Sequence, residues 1–487
     1  MRAMASATLD LVTHDGVQPT STAVHLEGRT ALSYGQLAEL VGESERALRH
    51  DRKVLVLCAG DRDLPTLLAY LGALRLGHAV AFLPASSEIL SAYQPEFVVP
   101  APGQGAGLGT GLADLGYRPA AELAGTAVFQ RIHSQPADEI YIDTALLLAT
   151  SGSTGSPKTV RLSCSGLAAN TAAVIRALGI TAAECAPTTL PITHAYGLSV
   201  LNTHLLAGAG IVLGNRSPLS LATWDHLIRS GATSFAAVPT TYAAFGPAHV
   251  NLLDRSKIRT MTQSGARLGD DLTMRLAQMM GRRDGQFFVM YGQTEATSRI
   301  ARLDPADLPD RLGSVGTAVP GGTISIAPAP AHARAVPGEG AVHYRGPGVM
   351  LGYATCRADL CRGAEVDLLD TGDLGYLREG YLYLTGRTKR IVKVLGVRTS
   401  LDDLERMVER PGHPAAVICG TDDVVHLVGA GDAAVHEQQR RELVESLGVP
   451  SRHVVFRPVS CLPRTPGGKI DYGTLATVID SHGRPGP

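Results

Sequence analysis

Residues 54–84 read VLVLCAGDRDLPTLLAYLGALRLGHAVAFLP, and this run decides the fold class. An apolar run of strand length, VLVLCAG, is followed by a helix-length stretch and a second apolar run, AVAFLP at 79–84. Strands that are apolar at every position, rather than at alternate ones, belong in parallel sheets covered on both faces. The pattern recurs. ALLLAT (145–150) precedes a Gly/Ser loop and the helical GLAANTAAVIRALG, and SFAAVP (234–239), IRTMTQSG (258–265) and QFFVMYG (286–292) repeat it. From about residue 311 the texture turns Gly- and Pro-rich, with strand–turn–strand patterns to about 386. The remainder mixes short strands with helices such as LDDLERMVER and VHEQQRRELVESLG. The expected architecture is therefore α/β. A large N-terminal domain over 1–386 holds mostly parallel α/β sheets and a β-rich subdomain (about 311–386), and a small α+β domain covers 387–487.

The bulk numbers narrow the partners. The 487 residues carry 44 Lys plus Arg against 45 Asp plus Glu, which gives no electrostatic footprint for nucleic acid or anionic membrane. The seven cysteines are scattered without metal-ligand spacing, as expected of reduced thiols. The opening MRAMASATLD lacks the apolar core of a signal peptide, and the apolar stretch Leu67–Leu83 is cut by Arg75 and His78, too broken for a membrane span. A cytoplasmic enzyme of small molecules is the expectation. The glycine-rich APGQGAGLGTG (101–111) mimics a dinucleotide fingerprint. Pro100 and Pro102 interrupt the required strand-to-helix turn and no strong helix follows, so it reads as a surface loop.

The chemistry sits in short motifs. Thr150-Ser151-Gly152-Ser153-Thr154-Gly155-Ser156-Pro157-Lys158 follows the strand ALLLAT. Small residues let backbone N–H groups approach an anion, hydroxyls add donors, and lysine supplies the charge that a polyphosphate needs. It is not a Walker A loop, because G-x-x-x-x-G-K-[ST] does not fit and Pro157 would break the helix expected there. Tyr291-Gly292-Gln293-Thr294-Glu295 follows the strand QFFVM, which puts a carboxylate just past a strand end, where open α/β sheets bind ligands. Such a carboxylate can hold the hard cation that screens ATP.

In this order these motifs resemble the adenylate-forming superfamily, which includes acyl- and aryl-CoA synthetases, luciferases and peptide-synthetase adenylation domains. The 150–158 string is similar to its phosphate loop. By resemblance Tyr291 stacks on adenine, Thr294 contacts the phosphate and Glu295 holds Mg²⁺, while Gly265-Ala266-Arg267 resembles the turn bordering the adenine, with Arg267 where proline is frequent. Gly338-Glu339 and Tyr344–Tyr353 match a segment read as mainly structural. Asp373 of Asp370-Thr371-Gly372-Asp373 is implied to bind both ribose hydroxyls, together with Arg387. Lys389 matches the hinge of a mobile C-terminal domain, Arg390 stands where relatives are often acidic, and Lys393 matches a lysine near the nucleotide. Gly396, Val397 and Arg398 fit the strand lining the thiol tunnel. Lys469, in Leu462–Asp471, matches the mobile catalytic lysine that bridges the substrate carboxylate and the α-phosphate; Tyr472 replaces the arginine usual three residues on.

The resemblance also locates the acyl pocket. Pro191–Leu198 aligns with a pocket wall, bringing His194 and Gly197, and Val238-Pro239-Thr240 aligns with another. Peptide-synthetase domains for α-amino acids carry an aspartate near here to pair the ammonium, and none occurs between Ile180 and Gly214. The implied substrate is a non-amino acid, fatty-type or aryl, joined first to AMP and then to CoA. The phosphopantetheine of an acyl carrier protein is an alternative acceptor, and an amine in a secondary pathway is another. Two readings from other classes compete. An NAD-dependent oxidoreductase would need the 103–111 stretch to bind, and a non-catalytic nucleotide-binding module predicts erosion of Glu295, Asp373 or Lys469, all of which are intact. Oligomeric state is not legible.

Overall fold

The computed structural model describes residues 7–104, 111–132, 138–149, 158–329, 332, 335–395, 397–410, 412–419, 424–465 and 469–481. The expected phosphate loop, residues 150–157, and Gly396 lie outside them.

The opening run folds as read. Leu55–Cys58 and Ala79–Phe82 are adjacent parallel strands, buried at every position and joined by the helix Leu64–Arg75. That helix starts where Asp63 accepts a hydrogen bond from Thr66 N and where Pro65 stands in the first turn, because proline gives up no donor there. Its interior from Pro65 to Leu74 is wholly buried, so it packs as a central layer rather than as a half-wet surface helix.

These strands sit mid-sheet in an eight-stranded order: 352–354, 159–163, 144–149, 79–82, 55–58, 97–99, 126–131, 117–123. The central four are parallel, and antiparallel strands close both edges. A second sheet sets Ser234–Ala237, Thr260–Gln263 and Gln286–Tyr291 in parallel, followed by two antiparallel strands. A third sheet pairs Cys185–Pro187, Gly210–Val212 and Thr22–His25 in parallel, with Ala31–Ser33 antiparallel at its edge. The 311–386 region contributes an antiparallel sheet of Thr323–Ala327, Gly340–Arg345, Leu369–Arg378 and Tyr381–Arg387. It does not stand wholly apart: its strand Gly352–Ala354 leaves to pair with Thr159–Ser163 on the edge of the first sheet.

Beyond Arg387 come a hairpin, 391–394 with 397–400, and a three-stranded sheet of 415–419, 425–429 and 454–458. Helices Leu401–Val408 and Ala433–Leu447 pack around a separate small core built on Leu404, Val408, Val417, Leu427 and Leu443. A large N-terminal part and a smaller α+β C-terminal part are thus both present. No helix among the described residues is long and apolar enough to cross a membrane.

Candidate active site

The strand Gln286–Tyr291 ends in a loop that turns back on itself, with Ser298 N donating to Gln293 O at 3.2 Å and Ile300 N to Tyr291 O at 2.9 Å. The return is tight enough to require Gly292: a Cβ there would lie 1.6 Å from the Ser298 carbonyl oxygen. Thr297 and Ser298 hold φ of +52° and +94°, a left-handed backbone that residues with a side chain rarely adopt outside functional loops. Glu295 rides this loop on a short turn, Thr294–Ala296.

Two contacts hold Glu295, one on its backbone and one on its carboxylate. Met350 N donates to the Glu295 backbone at 2.9 Å, and the Tyr353 hydroxyl donates to Glu295 Oε1 at 3.1 Å. Lys158, the last residue of the phosphate-loop motif, places its ammonium 3.4 Å from the centroid of the same Tyr353 ring. The segment ending in Tyr353, expected to be mainly structural, pairs as a strand with Thr159–Ser163, and its last tyrosine also contacts Glu295 and Lys158.

On the other side, the Tyr291 hydroxyl donates to Asp373 at 2.5 Å, and Arg387 Nε lies 3.2 Å from the other oxygen of that carboxylate. Asp373 and Arg387 are register partners on adjacent antiparallel strands, which is why residues distant in sequence meet. Burial raises the Asp373 carboxyl, with Arg387 pulling the other way, and burial pushes the Tyr291 phenol well up.

Lys469 enters on a hairpin in which Thr465 N bonds Lys469 O at 2.8 Å and Asp471 N bonds Pro463 O at 2.9 Å. Burial lowers its ammonium, Arg387 lowers it further, and Asp373 and Glu295 oppose both. His194 stands at the N-terminus of the helix Ala195–Leu206. Burial lowers its imidazole, Asp61 opposes that, and Lys469 adds to it. Lys469 therefore couples to groups from three elements of the N-terminal part.

Behind His194, Gly197 closes the 191–197 turn, where a Cβ would lie 2.1 Å from Pro191 O. The Tyr196 hydroxyl donates to Thr262 O at 2.9 Å, as does that of Tyr242, which follows Val238-Pro239-Thr240. Gly265, at φ +99°, packs so closely that a Cβ would meet Val238 Cγ1 at 3.3 Å. The expected pocket walls are thus neighbours.

Other expected residues stand apart. Ala266 is exposed, and so is Arg267, which pairs with Asp270 at 3.2 Å. Lys389 and Lys393 are exposed and join none of these contacts. Arg390 is neither a loose basic residue nor a ligand. It is half-buried between Asp402 at 2.5 Å and Glu405 at 2.9 Å, under the Tyr472 ring at 3.9 Å. Gln293 keeps its side-chain nitrogen buried with no acceptor among the described residues. Sequence reading missed Asp61, Tyr196 and Tyr353. The aromatic ends of the PITHAYG and GY motifs were the available signal for the two tyrosines.

No group of three or more His, Cys, Asp or Glu among the described residues forms a metal cluster. A single carboxylate beside a hydroxyl, Glu295 with Thr294, still fits Mg²⁺, which binds through one or two carboxylates while keeping waters and substrate phosphates.

The family model described as AMP-binding enzyme matches residues 13–354. The chain is 30% identical over 503 residues to the indoleacetate–CoA ligase of Aromatoleum aromaticum, covering 94% of this chain and 95% of that one. It is 30% identical to the oxalate–CoA ligase of Arabidopsis thaliana over 352 residues, 69% of this chain and 67% of the relative. The ATP-bound structure of MatB from Rhodopseudomonas palustris superposes with a TM-score of 0.77 at 22% identity, covering 96% of this chain and 97% of that one. The chain belongs to the AMP-binding enzyme family, the adenylate-forming superfamily in its acyl-CoA synthetase branch.

Proposed function

We propose that the chain is an ATP-dependent ligase that converts a carboxylic acid lacking an α-ammonium to acyl-AMP and then transfers the acyl group to the thiol of CoA. In the first step a carboxylate oxygen attacks the α-phosphorus of ATP and the bond to pyrophosphate breaks. In the second the thiol sulfur, losing its proton, attacks the acyl carbonyl and AMP leaves. The observation that supports the reading most is that Lys469, from the C-terminal part, lies within electrostatic reach of Glu295 and of Asp373, the carboxylate held by Tyr291 and Arg387 in the N-terminal part.

Each step asks something of these residues. Lys469 brings a positive charge to the point where two anions must meet, which lowers the barrier both by orientation and by electrostatics. Asp373, with Arg387 beside it, accepts hydrogen bonds from the two ribose hydroxyls, and Tyr291 offers its ring to the adenine. Glu295 and Thr294 would hold Mg²⁺, which supplies charge screening of the phosphates when bound. Lys158 and the 150–157 loop clasp the polyphosphate, and Gly265 and Ala266 border the base. His194, Gly197, Val238, Pro239 and Thr240 line the acyl pocket. Residues 1–386 act as the adenylation domain and 387–487 as its lid, with Lys389 at the hinge and Lys393 turning toward the nucleotide in one lid position. The relatives' names pair CoA with acids as unlike as indoleacetate and oxalate, so they support the acceptor more than the acid.

Pyrophosphate release over a panel of acids tests adenylation, and product formation with CoA against holo-carrier protein tests the acceptor. Acid-dependent pyrophosphate release with thioester formed only on CoA is expected. Thioester formed only on the carrier protein would move the enzyme to the alternative acceptor, and no release with any acid would sink adenylation itself.

A further inference from the structure

Arg299 is a fully buried cation with no counter-charge among the described residues. Its side chain is buried, at 1% exposure, and among the described residues its one side-chain hydrogen bond is from Nη1 to the neutral Ser298 hydroxyl at 2.8 Å. Its Nε is buried with no acceptor, and no carboxylate among the described residues pairs with it. The other fully buried arginine, Arg161, is by contrast paired with Glu365. A guanidinium cannot readily shed its proton, so burying one unpaired is strongly unfavourable unless something anionic arrives.

Its position says what arrives. The guanidinium carbon lies 4.0 Å from the centroid of the Tyr196 ring, two residues beyond His194, and Tyr196 is tied to Thr262 at the end of the strand leading to Gly265. Arg299 is held there by the strained loop that also carries Glu295, and Asn170 clamps its backbone carbonyl at 2.9 Å. The charge therefore lies behind Tyr196, against the segment read as the wall of the acyl pocket.

We propose that Arg299 is a specificity determinant that selects acids bearing a second anionic group, a distal carboxylate or sulfonate, whose oxygens pair with its guanidinium while the first carboxylate is adenylated. This rests on the reading of the Pro191–Leu198 and Val238–Thr240 segments as the acyl pocket. It replaces the fatty-type or simple aryl acid expected from sequence with a dianion. Burial also lowers the arginine to about 10, the direction expected of a charge awaiting its partner.

Matched acids test it on the intact enzyme: butyrate with succinate, hexanoate with adipate, benzoate with isophthalate, propionate with 3-sulfopropionate. Pyrophosphate release should favour the dianion of at least one pair by about tenfold or more in kcat/KM, and the sulfonate pair tells whether any anionic oxygen group suffices or a carboxylate is needed. In R299M that ratio should fall to about one or invert, while R299K should keep part of it. Wild-type enzyme that prefers the monoanion in every pair overturns the proposal without needing a variant, and so does an R299M ratio equal to wild type. Release with none of the acids is a different failure, that of adenylation, and would remove the pocket reading along with this inference.

Discussion

The Tyr353 hydroxyl donates to Glu295 Oε1 at 3.1 Å while Lys158 rests on the face of the same ring. One tyrosine thus contacts both a carboxylate and an ammonium through different parts of its side chain. The strand carrying it pairs with Thr159–Ser163, directly after Lys158, so the link is built into sheet register rather than left to a mobile side chain.

Removing the hydroxyl alone separates its two duties. Y353F keeps the ring under Lys158 and releases Glu295, so the Mg²⁺ concentration giving half-maximal pyrophosphate release should rise several-fold with little change in thermal stability. An unchanged Mg²⁺ titration would show that the hydrogen bond does not tune Glu295.

Lys469 should set the alkaline limit of the adenylation step. K469A should lose on the order of 10²–10³ in adenylation rate, the scale of removing one preorganised charge donor, and should melt like wild type. The lysine acts protonated, and burial followed by Arg387 lowers its pKa below the ordinary lysine value, so activity should fall as pH rises through that lowered value. R387M removes a positive neighbour and should move the alkaline limb to higher pH. A limb that stays put, or moves down, contradicts the assignment.

Much of this site was readable in advance and some was not, for identifiable reasons. Leu55–Cys58, Ala79–Phe82 and Gln286–Tyr291 are strands because runs of apolar residues of that length leave few alternatives. Asp373, Glu295 and Lys469 lie within short motifs whose chemistry is local, and Asp373 and Glu295 both act on the charge of Lys469. Tyr353 and Arg299 act through partners far away in sequence, Glu295 and Lys158 for one and Tyr196 for the other, and no local pattern marks such a pairing. Arg390 shows the same limit: its place in a basic run says nothing of Asp402, Glu405 and Tyr472, which lie around it.

That arginine gives a stability prediction for the C-terminal part. Arg390 neutralises two largely buried carboxylates and also donates to Val417 O at 3.2 Å. R390M leaves Asp402 and Glu405 facing each other without a cation, a loss on the order of 3–5 kcal/mol for a broken buried pair. Urea unfolding followed by a probe in the C-terminal part should show the shift. A loss below about 1 kcal/mol would mean that the network is exposed enough for water to replace the guanidinium.

Two glycines should respond in opposite directions to the same added methyl group. At Gly292 the new Cβ would lie 1.6 Å from Ser298 O, a backbone atom held by the return of the loop, so the loop must open to accept it. Opening it displaces Glu295 and Arg299 together, and G292A should lose both adenylation rate and thermal stability. Gly281 closes the helix Asp270–Gly281 with nothing within 4 Å of its Cβ position and no left-handed backbone. G281A should therefore be neutral to stabilising by about 0.5–1 kcal/mol, the ordinary difference between alanine and glycine in a helix. Melting both variants beside wild type, with pyrophosphate release measured on each, separates a steric demand of the site from a general intolerance of substitution. If G292A matched wild type in both readouts, the loop would have room that its backbone hydrogen bonds deny, and the placement of Glu295 by that turn would have to be abandoned.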